Sequence, residues 1–138
     1  MAYPDPASVE AAFYAAFREL DEAGMLKVWS DSAEASCIHP GGPLLRGTQQ
    51  IMQSWHEIFR DTSPPQVESR LIQASADQRL AVHTVEEHVS SANGARKAII
   101  LATNIYTYSQ DGWRLLAHHA SLPLVESSDE EAPPKALH

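Results

Sequence analysis

His39 is the residue whose type and position are best suited to chemistry in this sequence. It follows the short apolar run 35–38, and Pro40 after it restricts its backbone. The loop 39–43 cannot continue a helix or a strand, because two of its residues are glycines and two are prolines. A neutral imidazole can accept a proton near pH 7. Two interpretations fit this pattern: a general base at the mouth of a pocket, or a structural histidine that bonds the loop backbone.

Three helices before residue 65 are expected to position this loop. Asp5 is a suitable cap for the first helix and Gly24 a suitable end, the segment 25–30 is a short second helix, and Thr48 begins the third. Apolar residues recur at helical spacing in the first and third helices: Val9, Phe13, Ala16, Phe17 and Leu20, then Ile51, Trp55, Ile58 and Phe59.

Beyond residue 65 the pattern changes to the alternation of strands. Four segments rich in Val, Ile, Thr, Tyr and Leu cover roughly 66–76, 79–91, 95–109 and 113–122. Asp77-Gln78, Asn93-Gly94 and Asp111-Gly112 separate them, and the Asn-Gly and Asp-Gly pairs are strong hairpin signals. Helices followed by an antiparallel meander predict an α+β domain whose helices cover one face of the sheet.

Two-residue turns would place residue 83 opposite 72 and 104, and 104 opposite 119. One face, expected to line the pocket, then carries Leu71, Val82, Thr84, Glu86, Leu101, Thr103, Ile105, Leu116, His118 and Ala120. Glu86 is the only acid near the centre of that face, where it must be paired, protonated or reached by water. The other face is also half apolar, which predicts a homodimer packed through the outer sheet face.

The chain resembles the nuclear-transport-factor-2-like superfamily, in its SnoaL-like and ketosteroid-isomerase-like branches. The resemblance covers residues 7–122 and is carried by Trp29, the segment 37–42 (Cys-Ile-His-Pro-Gly-Gly), Arg46-Gly47-Thr48 at a helix start, and the final segment 111–121. It implies a cone-shaped, curved antiparallel sheet wrapped around three N-terminal helices, with a pocket at the wide end and usually a dimer. We expect one domain over 1–124, followed by a disordered acidic tail over 125–138.

The resemblance also implies roles for individual residues. His39-Pro40 falls where the ketosteroid isomerases carry an Asp-Pro whose carboxylate is the general base. Tyr14 lies in the part of the first helix that supplies a tyrosine donor in those enzymes, whereas Ile105 stands where they have a carboxylic acid. His118, predicted beside Ile105, is the nearest replacement donor; a buried structural histidine is the alternative.

The remaining predicted site residues line a ligand pocket. Trp29, Trp55 and Phe17 are expected to form its apolar wall, with plain core packing as the alternative for these aromatic side chains. Thr103, Ile105 and Ala120 are expected to contribute from the sheet.

Composition excludes several classes of partner. The formal net charge of −8 argues against nucleic-acid binding, and no apolar run is long enough to span a membrane. The N-terminus does not resemble a signal peptide, and the single cysteine, Cys37, favours a cytoplasmic location. No cofactor is expected. The seven histidines match no zinc signature, so no metal is expected either.

The sequence therefore supports two hypotheses. The first is a pocket enzyme of isomerase, cyclase or hydratase type that uses acid–base chemistry on a small, largely apolar carbonyl compound. The second is a non-catalytic ligand-binding or oligomerisation module of the same fold.

Overall fold

The computed structural model describes residues 3–123, and the predicted tail 125–138 lies outside them. Three helices and six strands follow one another in the order α1 (Pro6–Glu19), α2 (Glu22–Val28), β1 (Ser36–Ile38), β2 (Leu44–Arg46), α3 (Thr48–Arg60), β3 (Gln66–Ala76), β4 (Leu80–Ser90), β5 (Lys97–Ser109) and β6 (Gly112–Ser121). The three helices and four long strands agree with the predicted order.

The boundary between the first two helices differs from the prediction. Asp5 caps α1 as expected, since its carboxylate accepts a hydrogen bond of 2.8 Å from the Ser8 amide. However, α1 ends before Leu20, which adopts a left-handed conformation with φ of 53°. Gly24 lies inside α2, where its amide bonds the capping side chain of Asp21. The predicted helix end at Gly24 and start at residue 25 are therefore wrong.

The six strands form one curved, unclosed sheet in the order β2-β1-β6-β5-β4-β3. Strands β3 to β6 form the predicted antiparallel meander. His83 pairs with Asn104 as predicted, but with Ala74 and not with residue 72, because Ala76 pairs with Ala81 and the turn is longer than two residues. Strand β1 lies parallel to β6, with Cys37 opposite His118, so the sheet is mixed and not antiparallel throughout. The cone-like α+β fold is confirmed. The sequence marked this segment only as the apolar run 35–38 and could not reveal its pairing with β6.

The helices cover the sheet face that the sequence analysis placed outside. The residues buried beneath them are Ala81, His83, Val85 and Glu87 on β4, and Ala102, Asn104 and Tyr106 on β5. The predicted pocket face is therefore wrong for these two strands. Both faces are half apolar in sequence, so alternation alone could not decide which of them packs against the helices.

Strand β6 contains a β-bulge that shifts its pairing with β5 by one residue. Ile105 pairs with Ala117 and Tyr106 with Leu115, so Leu116 is an extra residue. The turn lies at residues 110–111 and not at the predicted 111–112, since Ser109 pairs with Gly112. The displaced turn and the bulge together pair Asn104 with His118 and not, as predicted, with residue 119. A bulge inserts one residue and reverses which side chains face the core beyond it. His118 thus lies on the helix-covered face. The prediction that its side chain faces inwards is met, although the register on which that prediction rested was wrong.

Candidate functional site

His39 lies directly after β1 and is held by α3. Its Nε2 is 2.9 Å from the Ser54 hydroxyl oxygen, and its ring meets Trp55 edge-on with centroids 4.8 Å apart. The side chain is half-buried. Burial lowers the pKa of His39 below its ordinary value of 6.5, so the imidazole is neutral at neutral pH. Strand β1 and helix α3 together place a neutral base beside an aromatic wall.

A network of four buried polar side chains lies near this base. The Tyr14 hydroxyl donates to Glu87 Oε2 over 2.6 Å and accepts from Asn104 Nδ2 over 3.0 Å. Asn104 Oδ1 is 2.6 Å from His118 Nδ1. His118 Nε2 in turn faces Glu87 Oε2 at 3.8 Å, which almost closes the network into a ring. All four side chains are at most 2% exposed. One helix and three strands supply them, which the bulge in β6 makes possible.

Burial keeps the two ionisable ends of this network neutral. Burial, reinforced by the Glu10 carboxylate, raises the pKa of Glu87 to about 7. Burial, reinforced by His39 and His119, lowers the pKa of His118 to about 3. Their 3.8 Å separation is too long for a direct hydrogen bond, so an ion pair would not recover the cost of removing two charges from water. The pair is therefore neutral between these two pKa values, and Glu87 alone titrates near neutral pH.

A second polar cluster joins α1 to the sheet. Glu10 Oε1 accepts a hydrogen bond of 2.6 Å from the Tyr106 hydroxyl and lies 2.8 Å from His83 Nδ1. Glu10 and Tyr14 are one helical turn apart, so both clusters are anchored on the same face of α1. The predicted register leaves His83 and Asn104 off the pocket face and so on the outer face, which is wrong, because both are buried beneath the helices.

The predicted aromatic wall is divided between two ends of the domain. Phe17 contacts Trp55 with centroids 5.3 Å apart, close to His39. Trp29 instead pairs with Leu115 and lines a separate cavity of about 570 Å³ beside the turn between β5 and β6. Trp29 therefore belongs to another part of the molecule than Trp55.

Three predicted site residues lie on the outer sheet face. Thr103 is exposed and Ile105 half-buried on β5. Glu86 is held outside by Arg70 at 3.3 Å and His88 at 2.8 Å, and hydrogen bonds from these partners lower its pKa. None of the three shares a surface with His39 and Trp55, because the helices cover the opposite face.

Ala120 is buried on the helix-covered face, next to Ala102 in the β5–β6 register. Both alanines are buried but lie outside the main packed cluster of the core. They follow Asn104 and His118 towards the end of the sheet where His39 emerges. Two side chains of minimal size are thus adjacent between the polar network and that end of the sheet.

Two functional candidates were missed by sequence reasoning. Glu87 has the same strand parity as His83 and Val85, and would have been found had the helix-covered face been assigned correctly. Ser54 lies between apolar helix positions and gives no signal in the sequence, because its role depends on the approach of β1.

Within residues 3–123, no three His, Cys, Asp or Glu side chains are grouped so as to hold a metal ion. No helix in the same range is both long and apolar enough to cross a membrane.

A family comparison agrees with the fold. The family model for the SnoaL-like domain matches residues 7–125, and the chain therefore belongs to the SnoaL-like domain family. The suspected superfamily is thereby confirmed.

Two solved structures are similar to the chain in both sequence and fold. A candidate calcium/calmodulin-dependent protein kinase type II association domain from Thiobacillus denitrificans is 29% identical, with a TM-score of 0.84, and the match covers 88% of this chain and 98% of that one. A candidate dehydratase of the NTF2-like family from Streptomyces avermitilis is also 29% identical, with a TM-score of 0.79 and coverage of 86% and 94%.

A curated relative is longer than the chain. F-box protein SKIP8 of Arabidopsis thaliana is 24% identical over 119 residues, which are 86% of this chain and 50% of that protein. The chain thus spans about half the length of this relative.

Proposed function

We propose that this SnoaL-like domain binds a small, largely apolar carbonyl compound beside His39 and Trp55 and acts on it by acid–base chemistry. The observation that carries the proposal is that β1 and β6 bring a half-buried neutral imidazole close to a buried carboxyl group with a pKa of about 7. A neutral imidazole can take up and return a proton near neutral pH, and the buried carboxyl group belongs to the network that supports it.

His39 is the proposed base. It would take a proton from the carbon next to the carbonyl, while the electrons of that C–H bond form a C=C bond and move negative charge onto the carbonyl oxygen. Return of the proton to the same or another carbon completes an exchange or an isomerisation. The step needs no oxidant or reductant, and a neutral imidazole is suited to it.

The buried network supports this chemistry from behind the ligand. The protons of Tyr14 and His118 point to Glu87 and Asn104. In the proposed reaction Tyr14 and His118 therefore do not donate to the ligand. They hold Glu87 and Asn104 in place by hydrogen bonds, which keeps the electrostatic field at the carbonyl group of the ligand constant. Glu86, Thr103 and Ile105 take no part, because they lie on the outer face of the sheet.

The proposed ligand lies at the end of the sheet where His39 emerges. Ala102 and Ala120 place two small side chains there, and the half-buried ring of Phe17, packed on the buried ring of Trp55, offers apolar contact. This arrangement suits a compact apolar molecule with one polar group, as small-molecule pockets generally do.

Deuterium exchange tests the chemistry without knowledge of the natural substrate. Cyclohexanone in D₂O loses its α-hydrogens to deuterium when a base removes them, and proton NMR follows the loss. We expect the protein to accelerate this exchange, and His39→Ala to reduce the acceleration by roughly 100-fold, within the usual range for a general base.

His56→Ala is the matched control, since His56 is a half-exposed histidine on the same helix as Ser54 and, among residues 3–123, forms an ion pair with Glu22 alone. Its exchange rate should equal that of the unmodified protein. Equal rates for His39→Ala and His56→Ala would rule out His39 as the base.

The non-catalytic alternative has a specific observation in its favour. The four network side chains satisfy one another, and the Thiobacillus structure with 29% identity is a candidate association domain. Under this alternative cyclohexanone binds, seen as shifted resonances near Trp55, but its hydrogens do not exchange faster than in buffer.

We further propose that two copies associate through the outer sheet face, in the cytoplasm. Ile99 and Leu101 on β5 support the association, because they are 49% and 40% exposed on that face. The single buried thiol of Cys37 supports a reducing location.

A further inference from the structure

The hydroxyl group of Ser54 connects His39 to the backbone of α3. Ser54 Oγ is 2.6 Å from the Ile51 carbonyl oxygen and 2.9 Å from His39 Nε2. A carbonyl oxygen can only accept a hydrogen bond, so the single hydroxyl proton of Ser54 is donated to Ile51. The oxygen of Ser54 is then left with lone pairs for its other neighbour.

We infer that Ser54 is a positioning residue that holds neutral His39 in the tautomer with its proton on Nε2. Because Ser54 Oγ must accept, His39 Nε2 must donate, and it can donate only if it carries the proton. A neutral imidazole has one N–H, so the lone pair lies on Nδ1. Nδ1 makes no hydrogen bond with residues 3–123 and is available to another molecule.

Cys37 is the one competing neighbour of Nε2 in the described part of the chain. Its Sγ is 3.8 Å from Nε2, at the outer limit of a sulfur hydrogen bond. A thiol that donated to Nε2 would force the opposite tautomer. The Ser54 contact is much shorter and involves the better acceptor, so it sets the tautomer.

The tautomer decides which atom can act as the base. In the proposed function, on which this step rests, Nδ1 receives the proton from the ligand, and the positive charge that forms is stabilised by the Nε2–H bond to Ser54. Ser54 itself touches no reacting atom. It acts by orienting the ring, as a second hydrogen-bond partner commonly does for a functional histidine.

Nitrogen NMR of ¹⁵N-histidine-labelled protein tests the tautomer directly, because protonated and unprotonated ring nitrogens resonate far apart. We expect neutral His39 to carry its proton on Nε2, in the unmodified protein and in Ser54→Thr, which keeps the hydroxyl. Ser54→Ala should give a mixture of tautomers, and Cys37→Ala should leave the tautomer unchanged. A proton on Nδ1 in the unmodified protein, or a tautomer shift caused by Cys37→Ala and not by Ser54→Ala, overturns the inference.

The cyclohexanone assay then tests the positioning role. Ser54→Ala should slow exchange roughly 3- to 10-fold, the equivalent of one hydrogen bond, and Ser54→Thr should restore it. If Ser54→Ala exchanges at the unmodified rate while His39→Ala does not, the positioning role is wrong and the proposed base stands. If the unmodified protein gives no exchange, the proposed function fails, and the NMR result decides the tautomer on its own.

Discussion

Glu87 and His118 show how burial sets protonation at the scale of single residues. In water Glu87 would be ionised at physiological pH and His118 would titrate near pH 6.5, and each is only 2% exposed in the fold. Burial disfavours the charged form, so the pKa of the acid rises and the pKa of the base falls. The pair contributes hydrogen-bonding groups to the interior without contributing net charge.

Glu87→Gln tests this protonation through stability. Below pH 4.5, the ordinary value, Glu87 is protonated in both the folded and the unfolded chain, and glutamine resembles it. As the pH rises from 4.5 to about 7, the unfolded chain loses this proton first, which destabilises the folded protein relative to the variant. We expect the free energy of unfolding of the variant to rise by on the order of a few kcal/mol relative to that of the unmodified protein across this range, and not to rise further above it. Urea unfolding measures both free energies.

Glu86→Gln is the neighbouring control for that experiment. Hydrogen bonds to His88 and Arg70 lower the pKa of Glu86, so its favourable contribution is present above its ordinary pKa of 4.5 and is lost as the pH falls through the lowered value. Glu86→Gln should therefore not gain stability as the pH rises. A pH-independent difference between Glu87→Gln and the unmodified protein would show that Glu87 is ionised in the fold.

At the scale of elements, α1 is the helix that joins both buried polar clusters to the sheet. Glu10 and Tyr14 project from one face of α1 and bond residues of β4 and β5. The helix is only weakly amphipathic in sequence terms, because these two polar positions lie on its buried side. Hydrogen bonds, in addition to apolar packing, therefore fix the rotation of α1 against the sheet.

Tyr14→Phe should destabilise the domain by about 2 kcal/mol, because it leaves the Glu87 carboxyl and the Asn104 amide buried without their partner. Thermal or urea unfolding at pH 6, where Glu87 is neutral, measures the loss. Tyr108→Phe is the matched control: Tyr108 is 52% exposed, and its loss should be within about 0.5 kcal/mol of zero. Equal stabilities of the two variants would mean that the network does not hold α1.

At the scale of the whole molecule, the two faces of the sheet differ in what covers them. One is covered by the helices and contains the polar network. The other presents β5 residues such as Ile99 and Leu101, which are half exposed. Exposed apolar side chains on a sheet face favour association with a second surface of the same kind.

Light scattering tests the proposed dimer. At micromolar concentration we expect a mass twice the 15.2 kDa of one chain. Leu101→Lys should reduce it to the mass of one chain, because a charge in the centre of the outer face would be buried on association. Leu71→Lys is the control. Leu71 is 50% exposed, but it pairs with Val85 and therefore lies on the other face of the sheet from Leu101. A single-chain mass for the unmodified protein would refute the dimer.

The sequence by itself determined the class of fold, the order of helices and long strands, and the most conspicuous site candidate. Capping residues, helical spacing and Asn-Gly or Asp-Gly turns are local signals, so they are legible without a structure. His39 was selected as a candidate because its neighbours in the chain restrict its backbone, and its role stays a prediction. Tyr14 and His118 were found through the family resemblance, and the structure brings them into one network.

The tertiary structure alone decided which sheet face the helices cover, and therefore which acid is buried. Glu86 and Glu87 are adjacent in sequence, yet one is on the outer face and the other lies in the interior. The bulge at Leu116, the parallel pairing of β1 with β6 and the contact between Ser54 and His39 are set by packing between distant segments. Such contacts depend on where whole elements meet, and a periodic pattern along one strand carries no information about them.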